Sequence, residues 1–199
     1  MKLLLAPLAI LALGSSAPAA VILFDLQGKA GFGMIAGNEN AAVTGTPGSG
    51  GEIGSGIRFD NVSKVLTINI GWGVSNGFTN LTGVANGAHI HGPATLGSVF
   101  TTDAPVVVNF LNNAVTTGYT SASFTTNTSA SAGTVSGTVI LDATREAQLM
   151  ASQLYLNVHT PTNGGGEIRG NMVVVPEPST ALLAGFGLLG LTLRRRHRA

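Results

Sequence analysis

Apolar and polar residues alternate with a period of two along much of this chain, and that pattern limits its fold more than any other feature. Leu66, Ile68 and Ile70 alternate with Thr67 and Asn69, and Val106, Val108 and Phe110 repeat the pattern. Val135, Val139 and Leu141 do the same, while Leu154, Leu156 and Val158 alternate with Tyr155, Asn157 and His159. Successive side chains of a strand point to opposite faces, so each run predicts a strand with one apolar face. Clusters of Gly, Asn, Ser and Thr separate the runs, as at residues 45–51 and 163–166, and mark turns. Pro47 and the glycines near it predict a mobile loop rather than a separate domain. One short helix is expected near residues 145–151, with Thr144 placed to cap it. The expected class is all-β, an antiparallel β-sandwich or flattened barrel. The chain has no cysteine, so a disulfide, a thiolate metal site and a Cys nucleophile are all excluded.

Both ends read as targeting segments. Met1 and Lys2 precede an apolar stretch over residues 3–13 and then Ala17-Pro18-Ala19. This is the pattern of a secretory signal peptide over residues 1–19, with Ala17 and Ala19 as the small residues of its cleavage site. Near the other end, Pro176-Glu177-Pro178 stops any preceding strand, because proline lacks an N–H and restricts its neighbour. An uncharged apolar run follows over residues 181–193, and then Arg194, Arg195, Arg196, His197 and Arg198. As a helix the run would rise about 20 Å, short of the ~30 Å hydrocarbon core, so transient insertion fits better than a permanent anchor. The arginines belong on the cytoplasmic side. In order and placement these features resemble the PEP-CTERM sorting signal of Gram-negative bacteria. The resemblance implies the export machinery and an exosortase-type processing enzyme as partners. It also implies that residues 176–199 are removed and that the product reaches the cell surface or extracellular matrix.

The body between these segments, residues 20–175, has a different charge from the whole. Lys29, Arg58, Lys64, Arg145 and Arg169 stand against Asp25, Glu39, Glu52, Asp60, Asp103, Asp142, Glu146 and Glu167, a net of −3. No basic surface remains to bind nucleic acid. Two segments then stand out. One is Ala88-His89-Ile90-His91-Gly92-Pro93-Ala94. The other is Leu154-Tyr155-Leu156-Asn157-Val158-His159-Thr160, followed by Gly164-Gly165-Gly166-Glu167-Ile168-Arg169-Gly170. Together they resemble the CHRD domain, the module named from chordin and also found in many bacterial exported proteins, over about residues 24–172. Bacterial members often carry a Gln-Glu-Val-Pro-Pro-like stretch near the start, whereas residues 29–40 here contain no proline. The resemblance implies an interaction module, with a structural or adhesive role and extracellular polysaccharide or surface proteins as partners.

The polar residues of these segments have a regularity of their own. Residues i and i+2 of a strand share a face, so His89 and His91 point one way and Ile90 the other. His159 shares a face with Tyr155 and Asn157, and Glu167 and Arg169 lie opposite Ile168. If the aliphatic sets face the core, His89, His91, His159, Glu167 and Arg169 all lie on outward sheet faces. Three neutral imidazoles and a carboxylate suffice to bind zinc or copper. The same residues can equally tie strands and a glycine loop together without metal, or bind another ligand. A copper or zinc β-sandwich, in its enzymatic form a superoxide-dismutase-like redox protein, is thus the alternative to a structural or adhesive role. No Gly-x-Ser-x-Gly elbow is present to suggest a hydrolase. Trp72, between Gly71 and Gly73, is expected in the core, the alternative being an exposed sugar-stacking ring. Tyr155 reads as a lid over His159 or as cross-strand packing.

Replacement of Pro176, Glu177 and Pro178 by alanine should leave the tail uncut and the protein held in the membrane. Fractionation of the cells with an antibody to the body is the check, and normal release of the variant would refute the sorting role.

Overall fold

A computed structural model describes residues 21–39 and 42–176. Ala17 and Ala19 of the expected cleavage site lie outside these residues, as do Glu177, Pro178, Arg194, Arg195 and Arg196 of the sorting motif. From β1 (Val21–Gly28) the chain passes through β2 (Gly31–Phe32) and β3 (Met34–Ile35) into a one-turn helix, α1 (Ala36–Glu39). Strands β4 (Ser49–Glu52), β5 (Ile57–Asp60) and β6 (Val65–Trp72) follow, then β7 (Gly87–His91), β8 (Val106–Asn109) and β9 (Ala114–Val115). A long hairpin of β10 (Tyr119–Ser129) and β11 (Ala132–Leu141) leads into α2 (Ala143–Met150), β12 (Tyr155–His159) and β13 (Ile168–Val174).

All pairings are antiparallel, as the expected class requires, and the strands form one sheet folded over as a sandwich. One layer carries β10, β11, β6 and β5, and the other carries β13, β12, β7, β8 and β9. Strand β1 belongs to both, because it pairs with β5 and with β13. The seam continues past β13, where the Val175 N–H donates to Leu23 O at 2.9 Å. Leu66, Ile68 and Ile70 point inward from β6 and are fully buried, against Ile90, Leu156, Val158 and Ile168 in the same core. Trp72 is also fully buried, which excludes an exposed sugar platform. At the open side, the Asn113 amide accepts from Phe124 N at 2.7 Å and donates to Phe124 O at 3.4 Å. The Phe110 and Phe124 rings meet edge to face at 4.6 Å, so the free edge of β10 is fastened to the β8–β9 turn.

Three local expectations change. Val106 is exposed while Val107, Val108 and Phe110 are buried, because the β7–β8 register shifts between Ile90 and His91. Such a bulge places two residues against one and breaks the alternation. The helix begins at Ala143, and its cap is Asp142 rather than Thr144, with the carboxylate accepting from Arg145 N at 2.8 Å. The Gly-rich segment near Pro47 is not simply a loop, since Ser49–Glu52 forms β4 between β3 and β6. A Cβ at Gly50 would sit 2.7 Å from Gly71 O and 2.8 Å from Met34 Cε, so only glycine admits this close pairing.

Gly137 tests the hairpin in the same way, because a methyl there would run into the backbone of Ser123 and Phe124. Gly137→Ala should cost about 1–3 kcal/mol, the usual range for overpacking, and lower the thermal midpoint. An unchanged midpoint would mean that β10 yields freely.

Candidate metal centre

Pairing of β7 with β12 sets Asn157 opposite His89, Tyr155 opposite His91, and His159 opposite Gly87. Paired residues share a face, so all three histidines project to the same side. Gly87 makes their approach possible, since a Cβ there would lie 3.0 Å from His89 Cε1 and 3.2 Å from His159 Cδ2. Ring centroids are 5.5 Å apart for His89 and His91, 4.9 Å for His89 and His159, and 5.8 Å for His91 and His159. Each residue offers one nitrogen to a group whose members lie within 4.8 Å of one another.

Two of the tautomers follow from the partners. His91 Nδ1 is 2.8 Å from Ala104 O, and His159 Nδ1 is 3.1 Å from Gly164 O. A carbonyl can only accept, so each Nδ1 carries the proton and each Nε2 keeps its lone pair. His91 Nε2, His159 Nε2 and His89 Nδ1 are buried and make no hydrogen bond. Burial pushes the His89 pKa down to about 4, helped by repulsion from His159 and His91. Burial also lowers His91, against the bond to Ala104, and lowers His159, against the bond to Gly164. All three imidazoles are therefore neutral near pH 7, the form that binds a metal.

Glu167 and Arg169 stand apart from this triad. Glu167 is buried and accepts from Gly48 N and Thr82 N at 2.9 Å each, and from Thr82 Oγ1 at 2.5 Å. Thr160 Oγ1 at 2.8 Å and Asn163 Nδ2 at 3.2 Å complete its partners. Burial alone would raise its pKa, but the bonds from Thr82, Gly48 and Thr160 outweigh that and hold it below the ordinary value. Arg169 is fully buried, with its guanidinium 3.5 Å from the centroid of the Tyr155 ring. It donates to Val99 O at 2.7 Å, Thr102 O at 3.2 Å and Asn171 Oδ1 at 3.2 Å. Tyr155 stacks in turn on His91, 5.0 Å away and 14° from parallel, and its hydroxyl accepts from Ala104 N at 2.9 Å. Tyr155 thus lies over His91 and not over His159.

These contacts cover part of the face that the alternation places outward, burying His91 and Arg169 while His89 and His159 stay half-exposed. Residues 93–105 are strapped across it by His91, Tyr155, Arg169 and Asn171, so β12 is enclosed on both sides. Sequence reasoning missed Ala104, which holds His91 and Tyr155 through its two backbone groups, and Thr82, which holds Glu167. Neither lies in a periodic run. Thr160 ends the first stretch of the second segment and Asn163 directly precedes its glycines, so both could have been found there.

Acid should act on these features in two stages. An unfolded histidine titrates near 6.5 and the folded ones lower, so the unfolded state takes up protons first as pH falls. Stability fully present above pH 6.5 should therefore decline as pH falls towards 4. Glu167, lowered from 4.5, adds a second loss only below that value. Denaturant titrations from neutral pH to about pH 3 should resolve both, and Glu167→Gln should remove the second at a cost of about 1–3 kcal/mol at neutral pH. A decline that begins only below pH 4.5 would contradict the neutral triad.

The CHRD domain family model matches residues 35–172, more than half of the chain, and takes in all three histidines, Glu167 and Arg169. The PEP-CTERM protein-sorting motif matches residues 174–196. No curated protein and no solved structure matches the chain. The sorting motif marks an exosortase substrate exported to the cell surface of a Gram-negative bacterium. By the extent of the first match, the chain belongs to the CHRD domain family, and it carries a PEP-CTERM sorting motif beside that domain.

Proposed function

We propose that this exported surface protein holds one transition-metal ion, copper or zinc, on His89, His91 and His159. One observation carries the reading: three buried imidazole nitrogens without hydrogen-bond partners, on residues whose ligand atoms lie within 4.8 Å of one another. A buried polar atom left unpaired costs about 1–3 kcal/mol. Three together are a recurring cost unless something binds them. Nitrogen donors from imidazole suit zinc and copper, and backbone carbonyls that fix the Nδ1 protons of His91 and His159 are the usual outer support of such ligands. Glu167 is no candidate for the fourth ligand, because five donors already occupy its two oxygens.

A structural or adhesive role at the surface, with polysaccharide or surface proteins as partners, is the second reading. It is favoured by the clasp at Glu167, whose two oxygens accept from five donors without any ion. On either reading the mature protein is the body of residues 20–175, freed of both targeting segments.

Metal content by mass spectrometry separates the two, measured on protein purified after export without chelator or a His tag. About one copper or zinc per chain is expected, absent from the His89→Ala, His159→Ala double variant. Metal at about a hundredfold excess over its Kd should stabilise the native state by about 2.7 kcal/mol and raise the thermal midpoint. A well-folded protein that takes up neither metal when both are offered would leave the histidines as a structural clasp.

A further inference from the structure

Among the described residues the sheet ends at three strands, and they differ. Two of them, β2 and β9, have two residues each. The third is β10, eleven residues long and paired on one side only, with β11. An open edge strand is a template for pairing with another chain, and proteins usually blunt it with charge, proline, a bulge or brevity. The first half of β10 has such protection. Its register with β11 shifts between Thr120 and Ser123, and the Asn113 amide holds both backbone groups of Phe124. The second half has none, since no charged residue and no proline occurs between Pro105 and Asp142.

The bonds to Asn113 also fix which way this backbone faces. Phe124 N and O turn away from β11, and every second residue of an antiparallel strand does the same. Asn127 O faces β11, as that alternation requires, lying 2.5 Å from where a Cβ on Gly133 would sit. Thr126 and Thr128 therefore each direct an N–H and a C=O outward, and no described residue bonds to them. Asn127 lies between them with its side chain exposed.

Such an edge is complementary to itself. Two copies set antiparallel about a two-fold axis at Asn127 place Thr126 of each opposite Thr128 of the other. Each of these pairs exchanges both N–H···O=C bonds, and the two Asn127 residues meet at the intervening position, where side chains come closest. No like charges oppose one another there. Isologous pairing uses up the edge in both copies, so the assembly closes as a dimer and does not grow into a fibre.

We infer that β10 pairs with β10 of a second copy through Thr126 and Thr128, with Asn127 at the two-fold axis, joining two sandwiches into one continuous sheet. The pairing involves none of the histidines and so needs no metal.

Sedimentation velocity on protein purified after export and kept metal-free tests it. The average mass should rise from monomer towards dimer as concentration increases. Asn127→Lys and Asn127→Asp should each weaken the dimer at least about tenfold in low salt, or ~1.4 kcal/mol, because like charges then meet on the axis. An equal mixture of the two variants should restore a dimer with one copy of each. Thr126→Pro removes an outward donor and no bond to β11, so it should abolish the dimer and keep the fold. A protein that stays monomeric at every concentration would overturn the inference, as would a dimer indifferent to Asn127→Lys. A mixture that fails to restore the dimer would overturn the register at Asn127. The charged variants decide the matter even if Thr126→Pro does not fold.

Discussion

The register between β7 and β12 is the constraint on which the centre depends. With Asn157 opposite His89, the odd-numbered residues of both strands share one face and the aliphatic even-numbered residues share the other. A slip of one residue would turn every side chain of one strand over, sending histidine into the core and isoleucine out of it. The penalty for that error falls on Ile90, Leu156 and Val158, all fully buried, so the apolar core enforces the position of polar groups it never touches. The histidines thus need no local glue to find one another.

Two buried charges are stabilised by different means. Glu167 draws five donors from three separate stretches of chain and so gathers the loops at one end of the sandwich. Arg169 donates to carbonyls of the strap, lies over the face of Tyr155 and pairs with the Asp103 carboxylate. A buried charge stays costly unless it is paired and its hydrogen bonds are well made. The strap over residues 93–105 therefore owes much of its placement to Arg169. Through Ala104 the same strap sets the protonation pattern of His91.

Much of the sandwich was legible in the sequence, because period-two alternation is a direct image of burial on one face. Leu66, Ile68 and Ile70 show it without ambiguity. Val106 misled because a bulge is a matter of pairing with another strand, and β4 was hidden because Gly50 and Gly51 carry no side chain to mark a face. The residues of the centre could be named from their motifs, but not their arrangement. Register between distant strands is no property of a local window. The same holds for Glu167, whose partner Thr82 lies 85 positions away, and for the strap that covers part of an expected outer face.

The seam between β1 and β13 also has a consequence for how the molecule is hung. Val175 is bonded to Leu23, so the chain enters at Val21 and departs at Pro176 from one corner of the sandwich. Six residues of extended chain, roughly 20 Å, separate Arg169 from Val175. A protein held at that corner turns its histidine end outward. The match to the sorting motif begins at residue 174, at that corner and away from the three histidines.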